Sequence, residues 1–491
     1  MRCAVVGSGV AGMTAALLLV RQGHDVALLE AGPRPAPLLR GFRRDGLHFD
    51  TGFHCGGGLG RAGLFRNWLQ ALGLLRYLPP TAFIAKEEVF SFPDGALHML
   101  PAGRGAALEA AERQFLGSRS GMDALLRDME TVLDHSPYTN PRSADTVPSF
   151  AGGKAGSVLS RLDEADLPPR LAMMLAARCL LYGVTPARAS WEDFSLVAGP
   201  YFHSCHALDG GGETLAGAFL AALAESGIRP RCGRRVVDLV LDGQGALRGV
   251  RVVGDDSPGG EVWSCTRCVF TGHPAQLRAL LPPGVLRPAY YSHIDALPET
   301  PPGLLLFAET RSDALDGRNL YLLPGDAPER LFGTEDTPAF SVYLSVGQAA
   351  EGRRALLAVT TGRPELLPPG DPRPRPEAYL RWKRVAVARL KDFIERRCPD
   401  LRRSLRVLDA ATGLSFRHWV RGSSGSLYGV CHDLESMPLL PVTRVGGLFL
   451  AGQNILLPGV LGALISAALA VGFAEGHENA LREFRQCADN G

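Results

Sequence analysis

Lysine is scarce in this chain of 491 residues. Only Lys86, Lys154, Lys383 and Lys391 are lysines, although lysine and arginine together number 52. These basic residues are balanced by 50 acidic ones, which leaves a net charge of +2. Such a balance creates no overall field that would attract nucleic acid or an anionic membrane surface. The scarcity of lysine also counts against any active site that depends on this residue.

Cysteines and long apolar runs are also limited. Ten cysteines are too few for a disulfide scaffold and favour a reducing compartment. Cys265 and Cys268 form a CxxC pair without a second pair or matching histidines, so we interpret them as buried thiols and predict no metal site. Glycines interrupt residues 1–20, and residues 459–473 are too short to cross a bilayer. We therefore expect a cytoplasmic protein, with association at a membrane surface left open.

The overall composition is that of a folded enzyme. Hydrophobic residues make up 46% of the chain and charged residues 21%, which excludes a disordered or fibrous protein. The length suits two domains.

The N-terminus has the pattern of a dinucleotide-binding fold. The apolar residues 2–7 predict a buried parallel strand, and Gly7, Gly9 and Gly12 follow as a GxGxxG motif at the start of a helix. Gly7 permits a tight turn, Gly9 lets a pyrophosphate approach the backbone, and Gly12 lets the helix pack on the strand. A second strand begins at Asp25 and ends before an acidic residue.

That acidic residue and the start of the helix complete the predicted site. Free N–H groups where the helix begins, at Val10 and Ala11, would bind the pyrophosphate. Glu30 would accept hydrogen bonds from the ribose hydroxyls and repel a 2′-phosphate. Two later segments favour FAD over NAD. Residues 231–240 predict a strand after a helix at 213–226, and residues 446–466 predict a strand, a glycine turn and a helix.

Four segments resemble the flavin-dependent phytoene desaturase, carotenoid isomerase and retinol saturase group, which has a glutathione-reductase-like fold. They are the GxGxxG motif with Glu30, Phe49–His54, Val269–Pro274, and the ending from Gly452-Gln453 to Gly462. The resemblance implies an α/β fold (α+β overall), with a Rossmann-like FAD-binding domain and an interleaved substrate-binding domain. The FAD-binding domain would comprise residues 1–75, 205–286 and 441–491, and the substrate-binding domain residues 76–204 and 287–440.

The resemblance also implies further contacts with FAD. They are expected at Ala31, Arg40, Gly57, Gly58, Val236, Gly272, Gly452, Gln453, Gly459 and Val460. A helix beginning at Gly459 would direct its positive N-terminus at the pyrimidine edge of the flavin. Two positions depart from the family pattern. The usual glycine pair with a basic residue is replaced by Leu38–Phe42, and Gln453 stands where relatives often have an acid.

Two histidines are the catalytic candidates. His54 follows the Phe49–Phe53 segment and could contact flavin or substrate, and His206 could donate a proton to a substrate carbanion. His203 and His206 lack a matching pair of ligands, so a metal is not predicted there. Six aromatic residues are candidates for lining the site of a long apolar ligand. They are Tyr182, Tyr201, Phe202, Phe416, Trp419 and Tyr428.

The resemblance implies an FAD-dependent oxidoreductase acting on C=C bonds of a conjugated apolar polyene or isoprenoid. The reaction would be desaturation, reduction, isomerisation or reductive cyclisation, as in polyene tetramate macrolactam biosynthesis, with NADPH as a transient reductant. Two alternatives share the fold. One is a flavin amine oxidase, which the scarcity of lysine disfavours. The other is a non-catalytic prenyl-binding protein of the GDP-dissociation-inhibitor kind, which the intact flavin motifs disfavour. The oligomeric state is left open.

Overall fold

The computed structural model describes residues 1–145, 156–254, 257–332, 341–362, 367–420 and 424–487. Lys154 lies outside these residues. The strands are β1 Arg2–Val6, β2 Asp25–Leu29, β3 Phe42–Arg44, β4 Leu47–Phe49, β5 Gly56–Gly57, β6 Phe83–Ala85, β7 Glu87–Ser91, β8 Leu97–Leu100, β9 Cys205–Leu208, β10 Arg235–Leu241, β11 Leu247–Gly254, β12 Ser257–Ser264, β13 Arg267–Phe270, β14 Gly303–Thr310, β15 Arg318–Leu322, β16 Val342–Ala350, β17 Arg353–Thr361, β18 Arg406–Ala411 and β19 Leu448–Leu450. The α-helices are α1 Val10–Arg21, α2 Leu64–Ala71, α3 Arg104–Gln114, α4 Arg119–Asp134, α5 Val158–Glu164, α6 Pro169–Ala176, α7 Trp191–His203, α8 Gly211–Glu225, α9 Leu277–Leu280, α10 Pro288–Asp295, α11 Glu377–Arg397, α12 Gly413–Val420, α13 Gly459–Glu475 and α14 His477–Gln486.

A parallel sheet with the strand order β19-β13-β1-β2 carries the N-terminal motif. Its strand β1 is buried at Cys3, Ala4 and Val5, because helices cover one face of the sheet and the core around β10 and β11 covers the other. Helices α1, α8 and α13 share one hydrophobic core. Because the three helices pack together in that core, segments far apart in sequence meet at one edge of the sheet.

Helix α13 is apolar on every side and lies in this core, where Leu464, Ala467 and Ala468 are fully buried. An α-helix that is hydrophobic all round must be buried, either in a large protein or in a membrane. Across the ranges that the structure describes, no helix is both long and apolar enough to span a bilayer.

A second sheet of seven strands has the order β18-β14-β17-β16-β15-β7-β8. Its side chains alternate between two cores, because successive residues of a strand point to opposite faces. On one face, Leu306 of β14 packs in a cluster with Leu390 and Ile394 of α11. On the other face, Phe307 packs with Phe49 of β4, which joins this sheet to the N-terminal part of the chain.

Several predicted elements differ from the observed ones. The leucine- and alanine-rich composition of residues 105–135 predicts one helical stretch, whereas the structure has two helices, α3 and α4, because Gly117 between them has a positive φ of 85°. The composition of residues 160–182 likewise predicts one helical stretch, which is divided because the prolines at 168 and 169 start a new helix there. The strand expected over 231–240 begins only at Arg235, and Arg231 instead forms an isolated parallel bridge with Leu29.

Candidate active site

A cavity of about 790 Å³ lies between the loops that follow the strands of the parallel sheet and the seven-stranded sheet, and residues from both ends of the chain line it. One part of its wall comes from the start of α1, the loop after β2 and the segment around β5. Another part comes from the turn after β13 and the start of α13. Much of the remaining wall comes from α7, the seven-stranded sheet and residues 425–441. The expected cofactor motifs and the expected substrate-binding segments therefore border one common space.

Glycine is needed for different reasons at the three positions of the motif before and within α1. Gly7 has a φ of +98°, which favours glycine, and a Cβ at Gly12 would lie only 1.8 Å from the Gly7 oxygen. Gly9, in contrast, has an ordinary φ of −69°, and no atom would lie within 4 Å of its Cβ. The protein itself therefore requires Gly7 and Gly12, whereas the space beside Gly9 is open for a ligand. Gly9, Val10 and Ala11 line the cavity.

Glu30 lies at the end of β2 and is 9% exposed. Its carboxylate accepts hydrogen bonds from Ser8 N at 2.9 Å, Ser8 Oγ at 2.7 Å and Gly32 N at 2.7 Å. The carboxylate thus closes the glycine turn in addition to any role toward a ribose. Its backbone also pairs with the segment before β10, since Glu30 N donates to the Arg231 oxygen at 2.9 Å.

Arg40 belongs to the loop that follows Glu30. This loop is tied to the glycine turn, because Ala36 N donates to the Ser8 oxygen at 3.1 Å and Arg40 N to the Ala36 oxygen at 3.2 Å. The buried Nε of Arg40 has no hydrogen-bond partner within the described ranges. A buried guanidinium donor without a partner suits an anionic ligand.

The second turn at the cavity precedes α13. Gly452 and Gly459 have φ values of +108° and +84°, and Gly452 N donates to the buried Ser466 Oγ at 3.0 Å. Helix α13 begins at Gly459 without a side-chain cap, so its first N–H groups are free for a ligand. Gly452, Gln453, Gly459 and Val460 all line the cavity.

Of the other predicted cofactor contacts, some line the cavity and others do not. Gly57 and Gly272 line the cavity. Gly58 adjoins Gly57 with a positive φ of 73°, and Val236 is buried in the core around β10. The residues that lie outside the described lining of the cavity are Gly7, Gly12, Glu30, Ala31, Arg40, Gly58 and Val236. These assignments stay predictions.

His54 and His206 lie in different surroundings. His54 lines the cavity, with its ring centroid 6.4 Å from that of Tyr343, and burial lowers the pKa of its imidazole, which is therefore neutral near pH 7. Within the described ranges no residue makes a hydrogen bond to His54. His206 is paired with Gly56 across β9 and β5 and lies outside the described lining of the cavity. Among the described residues no cluster of three or more His, Cys, Asp or Glu could hold a metal.

The six aromatic candidates divide into two groups. Tyr201, Phe416 and Tyr428 line the cavity. Tyr182 and Phe202 instead belong to a separate hydrophobic core. Trp419 is 66% exposed and lies near the end of the short helix α12, whose buried residues, Gly413 and Leu414, are at its start.

Sequence analysis missed a buried polar network behind the cavity wall. Tyr321 lines the cavity, and its hydroxyl donates to Glu88 Oε1 at 3.1 Å. Glu88 is also paired with Arg178 at 2.5 Å, and their side chains are only 3% and 1% exposed. Tyr343 lies on the same wall, with its hydroxyl 3.6 Å from Cys55 Sγ. In the sequence, only the position of Cys55 directly after His54 indicates a place near the site. Glu88, Tyr321 and Tyr343 come together through the pairing of distant strands, which the sequence does not show.

The chain is similar to several known proteins. The family model for an NAD(P)-binding Rossmann-like domain matches residues 5–72. The all-trans-retinol 13,14-reductase of Danio rerio is 21% identical over 94% of this chain and 84% of that protein. The hydroxyneurosporene desaturase of Rubrivivax gelatinosus is 27% identical over 55% of this chain and 53% of that protein. The human all-trans-retinol 13,14-reductase is 22% identical, but the match covers only 43% of its length.

Solved structures with the same fold are more distant in sequence. An oxidoreductase from Methanosarcina mazei has a TM-score of 0.66 and 13% identity, covering 95% of this chain and 99% of that one. A putrescine oxidase has a TM-score of 0.59 and 14% identity, covering 97% of this chain and 100% of that one. The predicted Rossmann-like α/β fold is therefore confirmed. The open space at Gly9, the unpartnered Nε of Arg40 and the uncapped start of α13 fit a dinucleotide cofactor.

Proposed function

We propose that this chain, an FAD-dependent oxidoreductase of the phytoene desaturase and retinol saturase type, acts on C=C bonds of a conjugated, largely apolar polyene or isoprenoid. Two of its relatives are named for such molecules, one as an all-trans-retinol reductase and the other as a hydroxyneurosporene desaturase. Reductive cyclisation, as in polyene tetramate macrolactam biosynthesis, belongs to the same proposal. We further propose a cytoplasmic location and the division into FAD-binding and substrate-binding domains stated above.

One observation carries this proposal. The cavity that contains the glycine turns continues between apolar side chains, among them Leu196 and Val197 of α7 and Leu305 and Val359 of the seven-stranded sheet. An apolar site of this kind favours a ligand with few polar atoms, because burial of unpaired polar groups is costly. We call the part of the cavity lined by these four residues the apolar slot. It shares one space with the glycine turns, so a long apolar ligand can extend from the cofactor motifs into the apolar slot.

The residues of the chain would hold FAD and orient the substrate. The N–H groups at the starts of α1 and α13 would bind its anionic groups, and FAD when bound supplies hydride transfer to or from a substrate carbon. His54 is neutral near pH 7, so its imidazole can accept or donate one proton at the cavity wall. The apolar lining excludes water from the reacting carbons.

The amine oxidase alternative finds no support in the lysines that the structure describes. Lys86 Nζ donates to the Val346 oxygen at 3.1 Å, and Lys383 Nζ donates to the Ala410 oxygen at 2.6 Å. Lys391 pairs with Glu395 on α11 at 2.7 Å. Of the lysines that the structure describes, none lines the cavity. The fold likeness to putrescine oxidase therefore does not extend to this feature.

The proposal is tested with an anaerobic visible spectrum of the FAD-loaded protein, first alone, then with NADPH, then with all-trans-retinol. Bleaching by NADPH and return of the oxidised band on addition of the polyene would support a reductase. Bleaching by a polyene alone would support a desaturase. Product analysis of the same samples would distinguish a saturated, desaturated or cyclised product. If polyenes and isoprenoids of several lengths leave both the oxidised and the reduced spectrum unchanged and yield no product, while putrescine bleaches the flavin, the proposal is wrong.

A further inference from the structure

One face of α7 forms a wall of the cavity. Five of its residues line the space, at Asp193, Leu196, Val197, Pro200 and Tyr201. Their spacing is that of a single helix face, at positions i, i+3, i+4, i+7 and i+8. The distance along the helix from the first to the last is about 12 Å. The middle of this face is apolar, and a tyrosine stands at its C-terminal end.

The position of Tyr201 is fixed by close backbone packing. A Cβ at Gly57 would lie 2.5 Å from Tyr201 N and 2.6 Å from its Cδ2, so the ring lies directly against the backbone of β5. Gly57 also lines the cavity, close to Cys55 and His54. Tyr201 therefore stands where the apolar slot meets the segment that we assign to the cofactor.

The hydroxyl of Tyr201 differs from those of the other tyrosines on the wall. Tyr428 donates to the Leu180 oxygen at 2.9 Å, Tyr321 donates to Glu88, and the Tyr343 hydroxyl lies 3.6 Å from Cys55 Sγ. Within the described residues nothing makes a hydrogen bond to the hydroxyl of Tyr201. Burial raises its pKa well above the ordinary value of 10.0, so the phenol stays protonated and can donate a hydrogen bond.

We propose that the hydroxyl of Tyr201 is a binding subsite for an oxygen of the substrate, either a hydroxyl or a carbonyl. The substrate is then an oxygenated polyene, with its oxygen at the end of the α7 face and its chain along Val197 and Leu196. The inference rests on the proposed function. A hydrocarbon in the cavity would shield this hydroxyl from water and leave it unpaired, whereas an oxygen acceptor satisfies it.

The test compares two ligands that share one polyene and differ in a single hydroxyl. They are all-trans-retinol and its deoxy hydrocarbon. Each is titrated into the oxidised, FAD-loaded protein without reductant, and binding is followed by quenching of the intrinsic protein fluorescence. The variant is Tyr201→Phe, which removes only the hydroxyl. The matched control is Tyr290→Phe, because the Tyr290 hydroxyl likewise has no hydrogen-bond partner among the described residues, but Tyr290 packs against the core around β10 and α9, outside the described lining of the cavity.

The wild type is expected to bind retinol about tenfold more tightly than the hydrocarbon, and Tyr201→Phe to lose this preference. Tyr290→Phe should keep it. Equal affinities of the wild type for both ligands, or an undiminished preference in Tyr201→Phe, would overturn the subsite while leaving a polyene substrate in place. If the wild type binds neither ligand, the proposed function fails, and the subsite fails with it.

Discussion

Two glycines of the N-terminal motif should respond differently to substitution by alanine. A methyl group at Gly12 would lie 1.8 Å from the Gly7 oxygen and 2.9 Å from the Gly7 carbonyl carbon, both of them backbone atoms. A methyl group at Gly9 would meet nothing within 4 Å. Gly12→Ala should therefore reduce stability even without cofactor, whereas Gly9→Ala should leave the apoprotein folded and weaken FAD binding.

The magnitudes follow from these distances. Ordinary contacts lie beyond 3.4 Å, so Gly12→Ala forces the turn and α1 apart by more than an ångström, which should cost about 3 kcal/mol or more. Gly9→Ala changes only the N-cap of α1, which costs about 0.5–1 kcal/mol. Its methyl group occupies the space that the pyrophosphate would take. Loss of one charge-assisted hydrogen bond there should raise the Kd for FAD about 10- to 100-fold.

The assay separates folding from binding. Urea unfolding of the flavin-free proteins gives the change in stability, and quenching of FAD fluorescence on titration gives the Kd. Gly217→Ala in α8 is the control, because a Cβ there also meets nothing within 4 Å and the site is far along the chain from the motif. An unchanged Kd in Gly9→Ala would refute our assignment of the open space to the cofactor. A stable Gly12→Ala would refute the packing argument.

Three further predictions concern buried charges and pH. Glu30→Gln should weaken FAD binding and also lower apoprotein stability by about 1–3 kcal/mol, since an amide turned toward Ser8 N presents a donor to a donor; urea unfolding and FAD titration measure the two effects. Arg178→Met should cost about 3–5 kcal/mol in urea unfolding, because it leaves Glu88 buried and unpaired, and Arg178→Met/Glu88→Leu should recover much of that loss. Burial lowers the pKa of several histidines below the ordinary 6.5, so the unfolded state binds more protons and stability should fall as pH drops below about 6.5. They are His54, His98, His203, His206, His273 and His477. His48, whose pKa is raised, opposes them, and a Tm that rises between about pH 7.5 and pH 5.5 would contradict this prediction.

The parts of the fold that could be predicted are those specified by local sequence. The glycine motif fixed the start of α1, and the second strand ends at Leu29, directly before Glu30 as expected. The start of α13 at Gly459 also follows from a local Pro-Gly turn. The seven-stranded sheet could not be derived in this way. Its parallel pair joins Glu87–Ser91 to Arg318–Leu322, and no local pattern encodes pairing over that separation.

The candidate site shows the same limit at the level of single side chains. His206 and Cys205 are neighbours in β9, so their side chains point to opposite faces. Asn319 Nδ2 donates to the sulfurs of both Cys55, at 3.2 Å, and Cys205, at 3.8 Å, which places Cys205 toward the seven-stranded sheet and turns His206 away from it. A shift of one residue in the pairing of β9 would reverse this arrangement. The sequence therefore suggests both His54 and His206 as candidates but does not indicate which of them lies at the cavity.

The buried ion pair behind the cavity explains how an apolar slot keeps a defined shape. A buried pair is rarely a source of net stability, because both ions lose their hydration. Here Glu88 also accepts the hydroxyl of Tyr321, whose ring stacks on Phe90 with centroids 5.0 Å apart and contacts Tyr343 edge-on at 5.3 Å. Arg178 lies over the ring of Phe202 at 4.2 Å, which compensates for its incomplete hydrogen bonding. The pair therefore orients the aromatic rings of the wall. Its loss should reduce the differences in affinity among polyenes while FAD still binds.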